Sequence, residues 1–314
     1  MKGALSKVEW AAELQERLGG PIRSMRLLAG GASKEAWAVD AGGEKLLVRR
    51  AAGGVIHQFT LSLEHEYRIV EAAHEAGVKV PPPVAYLGEL GGREAFAVEL
   101  VPGETIGRRV VKAPPPGLEV QLAEELAKIH AIPRGRVPFL EQRDPLEWIR
   151  DELDSIDEPH PAIEYGLWWL TARRPAPLDP VVSHGDFRIG NVVVSERGLE
   201  YLIDWEFSHV GDPRDDLAWP LVRAWRYGAD HRRLGGIGEV EPYLGRYNAL
   251  TGRDVSLDDL LWWEVLGNAK WAVGSLTQSR RHLRGEERSV ELAVLGRLAA
   301  EVEYELLDLI ERAA

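Results

Sequence analysis

The feature that most narrows the fold is a change of hydrophobic period near residue 100. Before it, apolar residues alternate in short runs cut by glycine: Met25–Leu28, the turn Ala29-Gly30-Gly31-Ala32-Ser33, Glu35–Val39, the turn Ala41-Gly42-Gly43, and Lys45–Arg49. A helical stretch, Leu61–Gly77, precedes two further runs, Val84–Leu87 and Glu94–Leu100, about the turn Leu90-Gly91-Gly92. Period two between glycine turns is the strand signal. After Val101-Pro102-Gly103 the apolar spacing becomes three and four. It predicts helices over Leu118–His130, Pro145–Leu153, Tyr165–Arg173, Leu217–Tyr227, Leu257–Arg280 and Ser289–Arg312, interrupted by one hairpin, Val192–Val194 with Tyr201–Ile203. The expectation is an α+β chain: a five-stranded antiparallel sheet with one helix in residues 1–100, and a mainly helical part in residues 101–314.

Composition removes several classes of function. Lys and Arg total 38 against 50 Asp and Glu, a net charge of −12, and no basic face for a nucleic-acid backbone is apparent. The absence of cysteine excludes disulfides, thiolate metal sites and cysteine nucleophiles, and agrees with the cytoplasm as the expected location. The first residues, Met1–Gly20, lack the plan of a signal peptide and read as an amphipathic helix carrying Val8, Ala11, Ala12, Leu14 and Leu18. No run approaches the ~18 apolar residues of a membrane span, so no membrane partner is expected. Ala113–Gly117 reads as an exposed proline-rich loop.

Chemistry concentrates in the run His184-Gly185-Asp186-Phe187-Arg188-Ile189-Gly190-Asn191 and in Ile203-Asp204-Trp205-Glu206 beyond the hairpin. A two-residue loop at Arg197-Gly198 would set Asn191 opposite Asp204; another loop type would shift this by a residue, so proximity is the expectation. An amide carbonyl beside a carboxylate suits a hard cation that keeps waters and binds phosphates, as Mg²⁺ does. Asp186, on a loop bounded by glycines, can take a proton from an attacking hydroxyl, and Arg188 would place positive charge where phosphoryl oxygens gather.

These strings, with Gly211-Asp212-Pro213-Arg214-Asp215-Asp216-Leu217-Ala218, resemble the aminoglycoside phosphotransferase and choline kinase-like family over nearly the whole chain. The resemblance implies a two-lobed protein-kinase-like fold and an ATP-dependent phosphotransferase, with GTP an alternative donor, acting on a small hydroxylated acceptor. It implies that Asp186 is the catalytic base and that Asn191 and Asp204 are the Mg²⁺ ligands. It places Gly30, Gly31 and Ser33 in the glycine-rich loop over the phosphates, though this loop departs from G-x-G-x-x-G. Arg49 aligns with the cation of the α/β-phosphates, with Arg50 an alternative, since neighbours on a strand face opposite ways. Glu66 is implied as the partner of that arginine, and Glu99 and Val101 as parts of the adenine hinge.

Other residues read more locally. His184 is expected to brace the loop rather than move protons, and Asp212, Asp215 and Asp216 to cap the helix beginning near Leu217 and brace the catalytic loop. His57, His65 and His74 read as residues without function. Trp168, Trp169, Trp262, Trp263 and Trp271 read as core, with aromatic pocket walls as the alternative. The acidic run Asp151, Glu152, Asp154, Asp157 and Glu158 reads as a solvated face, with attraction of a cationic acceptor as its alternative. A metal-dependent hydrolase using His184, Asp186 and Asp204, and a nucleotide-binding pseudokinase, are the rival functions. No Ala-Pro-Glu follows Asp204 closely, which disfavours a protein acceptor. The terminal helix does not choose between internal packing and dimerisation.

Overall fold

The computed structural model describes residues 7–28, 34–52, 60–142 and 144–313. Helix α1 (Lys7–Leu18) leads into β1 (Ile22–Leu27), β2 (Lys34–Ala41) and β3 (Glu44–Ala51). Then come α2 (Leu63–Glu75), β4 (Pro83–Glu89) and β5 (Glu94–Glu99). The five strands form one antiparallel sheet in the order β1-β2-β3-β5-β4. Each face has its own cover. Trp10 and Leu14 of α1 pack on Val39, Leu46, Val48, Ala95 and Ala97, while Tyr67, Ile69 and Val70 of α2 join Phe96 and Val98 on the other side. Helix α2 starts where Ser62 accepts from the His65 amide (3.2 Å) and stops before Gly77, whose φ of +75° ends the α ladder.

The rest is mainly helical: α3 (Gly107–Lys112), α4 (Leu118–His130), α5 (Pro145–Ile156), α6 (Pro161–Ala172), α7 (Pro213–Ala218), α8 (Val240–Thr251), α9 (Leu257–Leu283) and α10 (Val290–Arg312). Two short antiparallel ladders interrupt it, β6 (Val181–Ser183) with β9 (His209–Gly211), and β7 (Val192–Ser195) with β8 (Gly198–Leu202). Helix α10 packs internally, burying Leu292, Ala299, Val302, Leu306, Leu309 and Ile310. The hydrophobic core runs without a break from α2 and the inner face of the sheet through α4 to α9 and α10. Helix α2 is tied to the helical part at several points. The Leu61 amide donates to the Glu206 carbonyl (2.9 Å), His65 stacks on Phe139 at 4.5 Å, Glu75 pairs with Arg136, and Lys128 Nζ donates to the Gly77 carbonyl (3.1 Å). No helix among the described residues is long and apolar enough to cross a membrane.

Three expectations are corrected. The helix predicted over Leu217–Tyr227 is α7, which starts earlier and ends at Ala218, followed by single 3₁₀ turns at Trp219–Leu221 and Arg223–Arg226. Pro220 has no amide for the ladder and its ring crowds the carbonyl four residues back. The hairpin carries a bulge between Val193 and Val194, so Val192 pairs with Leu202 and Asn191 meets Ile203, whose amide donates to the Asn191 carbonyl at 3.0 Å; Asp204 is one residue further on. Helices α3 and α8 were absent from the sequence reading; each is short or weakly patterned.

Candidate active site

The loop that carries Asp186 and Asn191 leaves β6 and is held from beneath by Asp216 of α7. One Asp216 oxygen accepts from the His184 amide (2.7 Å), the other from the Gly185 amide (2.9 Å). Gly185 has φ +82°, and a Cβ there would lie 2.1 Å from the Phe207 carbonyl oxygen, so only glycine allows this approach. His184 is fully buried, its Nδ1 accepting from the Asp186 amide (3.3 Å) and its Nε2 lying 3.2 Å from the Ile203 carbonyl oxygen. That pattern makes Nε2 the protonated nitrogen of a neutral ring. Burial depresses the His184 pKa despite Asp216, Asp186 and Asp204 nearby. The ring braces the loop as expected, and it is not shared with Asp186 and Asp204 as a metal ligand.

Asp216 itself is fully enclosed. Burial works against its charge, but hydrogen bonding and attraction from His130, with His184 and His209, more than offset this and bring its pKa from 3.8 down to about 2. A carboxyl depressed on folding stabilises the native state above its unfolded pKa, and that contribution is lost as pH falls through about 2. Asp216→Asn is therefore expected to cost about 2 kcal/mol near neutrality, by the ~1.4 kcal/mol per pKa unit of linkage, and progressively less as acid titrates the wild type. Urea unfolding of both proteins across acidic pH measures this; a gap that stays constant down to pH ~2 would contradict it. Asp212 is the cap of α7, accepting from the Arg214 amide at 3.0 Å, whereas Asp215 departs from the expected capping role and pairs with Lys270 of α9 (3.1 Å).

The loop joins Asp186 to Asn191, and Asp204, beyond the hairpin, borders the same cavity as Asp186. Asp186 Oδ1 accepts from Arg188 Nε (2.9 Å) and Trp219 Nε1 (2.6 Å), and its Oδ2 accepts from Asn191 Nδ2 (2.6 Å). Asn191 also donates to the Asp186 carbonyl (2.9 Å), so its amide nitrogen is spent within the loop and its Oδ1 is the atom suited to a cation. Asp204 has φ +65°, a conformation Asp tolerates, and its Oδ1 accepts from Arg49 Nη1 at 2.7 Å. Burial disfavours its charge, but Arg49, Lys34 and Arg188 hold the carboxyl below the ordinary range. One amide oxygen and one ionised carboxylate form a donor set that fits Mg²⁺, with water and phosphate oxygens completing the shell. Among the described residues no cluster of three or more His, Cys, Asp or Glu forms a closed metal cage.

On the sheet side the register sends the two arginines to opposite faces. Arg49 pairs with Phe96 on the inner face, while Arg50 points to the other, donating to Glu35 and to the Leu90 and Gly91 carbonyls. Glu66 is paired first with Lys34, which also meets Glu206 at 2.7 Å, while Arg49 Nη1 stands 3.7 Å from Glu66. Sequence reasoning missed Lys34 and gave Glu206 no role; the one available signal was a lysine opening the strand after the glycine turn. Arg49 Nε is buried without a partner, a spare donor beside the Asp204 carboxylate. Glu99 pairs with Leu46, three residues along β3 from Arg49 and so roughly 10 Å away. Glu99 and Leu100 donate their amides to the Pro82 and Lys45 carbonyls, with Val101 next in the chain. Gly30, Gly31, Ser33 and His57 lie outside the described residues.

Beside Asp186 and Arg188 opens a cavity of about 370 Å³ whose walls include five indoles, those of Trp148, Trp219, Trp225, Trp263 and Trp271. Of the tryptophans read as core, Trp169 and Trp262 are core, Trp168 is exposed against Tyr165, and Trp263 and Trp271 are wall. The acidic run Asp151–Glu158 does not line the cavity. Glu152 and Glu158 meet Thr277 and Arg280 instead.

Comparison with known proteins agrees with this geometry. A family model described as the phosphotransferase enzyme family matches residues 24–253. The acyl-CoA dehydrogenase family member 11 of Gallus gallus is 27% identical over 90% of the chain, which spans 40% of that protein's length. Spectinomycin phosphotransferase, solved with ADP and spectinomycin, superposes with a TM-score of 0.71 at 15% identity, over 97% of this chain and 99% of that one. An aminoglycoside phosphotransferase solved with GDP and kanamycin gives 0.67 at 17% identity, over 95% and 99%. With the sheet, the helical part and the loop between them arranged in this way, the chain belongs to the phosphotransferase enzyme family and has its two-lobed, protein-kinase-like fold.

Proposed function

We propose that this phosphotransferase moves the γ-phosphoryl group of ATP, with GTP as an alternative donor, to a hydroxyl of a small molecule, as a cytoplasmic enzyme. The observation that carries the reading is the hydrogen-bonded pair Asp186 and Asn191 with Asp204, held by Arg49, on the border of the same indole-walled cavity as Asp186, and Lys34 behind. Residues 1–100 supply the nucleotide side and residues 101–314 the acceptor side.

The acceptor oxygen attacks the γ-phosphorus, the bond from that phosphorus to the β-bridging oxygen breaks, ADP leaves, and the hydroxyl proton passes to Asp186. Asn191 Oδ1 and Asp204 would hold Mg²⁺, which when bound neutralises charge on the β- and γ-phosphates. Arg49 turns from Asp204 toward phosphate oxygens, its fork supplying two donors. Arg188, Trp219 and Asn191 hold the Asp186 carboxylate at the cavity edge, so positioning and fixed charge carry most of the rate enhancement. Glu99 and Val101 present hinge backbone to the base.

The test is the thermal unfolding midpoint with ATP or GTP, each with and without Mg²⁺, for wild type and Asp204→Asn. A ligand at ~100 times its Kd adds about 2.7 kcal/mol, which moves the midpoint by several degrees. The expected result is a Mg²⁺-dependent shift in the wild type that Asp204→Asn loses. No shift at saturating nucleotide would remove Arg49, Asn191 and Asp204 from these roles.

A further inference from the structure

The cavity beside Asp186 carries a charge pattern unlike a site for polyamines. Five carboxylates border it, and each has a cation of the protein within ion-pair distance, although Lys34 is shared between Glu206 and Glu66. The pairs are Asp186 with Arg188 (2.9 Å), Asp204 with Arg49 (2.7 Å), Glu206 with Lys34 (2.7 Å), Asp212 with Arg214 (2.7 Å) and Asp215 with Lys270 (3.1 Å). Each lining carboxylate thus already faces a protein cation, and the two lining cations, Arg188 and Lys270, are paired as well. Three of the five aromatic faces are committed in the same way. Arg188 lies 4.4 Å from the Trp225 ring, Lys270 5.2 Å from that of Trp219, and Arg214 5.6 Å from that of Trp263. At these three rings a cationic ligand would meet faces whose attraction for positive charge is already spent, next to the cations spending it. What the walls still offer is mainly apolar indole surface, with the unpartnered Nε1 donors of Trp225, Trp263 and Trp271 available to neutral oxygen atoms and the Asp186 carboxylate at one end.

We infer that the acceptor of the proposed transfer is an uncharged alcohol with an apolar body, seated against the tryptophans with its hydroxyl toward Asp186. The inference rests on the phosphotransfer reading above and narrows its substrate class. A volume of about 370 Å³ falls in the range of pockets that enclose small organic ligands. The step is the one already balanced: the alcohol oxygen gains the phosphoryl group, its proton goes to Asp186, and ADP leaves.

Gly274 makes the inference testable without touching the charged residues. It lines the cavity from α9, and a Cβ built on it meets nothing within 4 Å, so a leucine there fits the helix and fills acceptor space. The probes are menthol, its isosteric cation menthylamine, and kanamycin. Binding to the full chain is read by tryptophan fluorescence, transfer by labelled phosphate from ATP, and nucleotide binding by the Mg²⁺-dependent midpoint shift.

The expected result is that menthol binds and accepts phosphate, menthylamine and kanamycin bind more weakly, and Gly274→Leu weakens menthol at least about tenfold, the factor equal to ~1.4 kcal/mol, with its nucleotide shift intact. Tighter binding of menthylamine or kanamycin than of menthol, menthol binding indifferent to Gly274→Leu, or no menthol binding at millimolar concentration would each overturn the inference. Menthol binding that is sensitive to Gly274→Leu, in a protein with no nucleotide response, supports the cavity's preference while removing the phosphotransfer reading, so the two failures are separable.

Discussion

Replacing Asp186 by alanine lowers kcat for phosphoryl transfer by about 10²–10⁴-fold, the span general-base groups supply, and leaves the Mg²⁺-dependent nucleotide midpoint shift in place. In barrier terms this is roughly 3–5 kcal/mol. The expectation follows from where the carboxylate stands: it borders the acceptor cavity, and three donors fix it, Arg188, Trp219 and Asn191. Removing it also strands those donors, so Asp186→Asn is the companion variant, keeping the shape while losing the base. Single-turnover measurements with an identified acceptor separate chemistry from product release. Turnover of either variant at the wild-type rate would take Asp186 out of the mechanism.

Lys34→Met carries the largest expected cost in stability, about 3–5 kcal/mol near neutrality, because it leaves two buried carboxylates, Glu66 and Glu206, without their shared cation. Arg49, 3.7 Å from Glu66, compensates only in part. The cost depends on pH. Burial already raises the Glu206 pKa, and Glu66 raises it further, while Lys34 opposes both. Without Lys34 the carboxyl titrates higher still, so acid neutralises it and the variant recovers stability relative to wild type as pH falls toward 5. Urea midpoints at neutral and mildly acidic pH measure this. A loss below about 1 kcal/mol would show that the cluster behaves as an exposed ion pair.

How far the sequence reached depended on whether a residue's role was local. Glycine turns and alternating apolar runs located the five strands, and α4 fell on the residues predicted for it, Leu118–His130, because its periodicity and its boundaries coincide. Asp186, Asn191 and Asp204 were legible as a group because they lie in one short stretch around a hairpin, but their pairing was not, since the bulge at Val193/Val194 depends on how the hairpin packs. Lys34 was hidden because its partners, Glu66 and Glu206, are brought to it by the docking of α2 and of the loop after β8. Trp219 and Trp225 were hidden because they sit in 3₁₀ turns, where no repeat marks a buried face, whereas Trp263 and Trp271 on α9 had a helical spacing that could be read as core or as wall.

The anchoring of α2 bears on control of the enzyme. A kinase-type switch that works by swinging the helix bearing the phosphate-site glutamate needs two resting positions of similar energy. Here the helix shares its apolar face with the unbroken core, and its ends are fastened by Leu61 to Glu206, His65 to Phe139, Glu75 to Arg136 and Lys128 to Gly77. A displaced position would give up these contacts together and expose apolar surface, which removes it from the accessible ensemble. Glu66 is thus set in place by folding, with no second position of this helix close to it in energy.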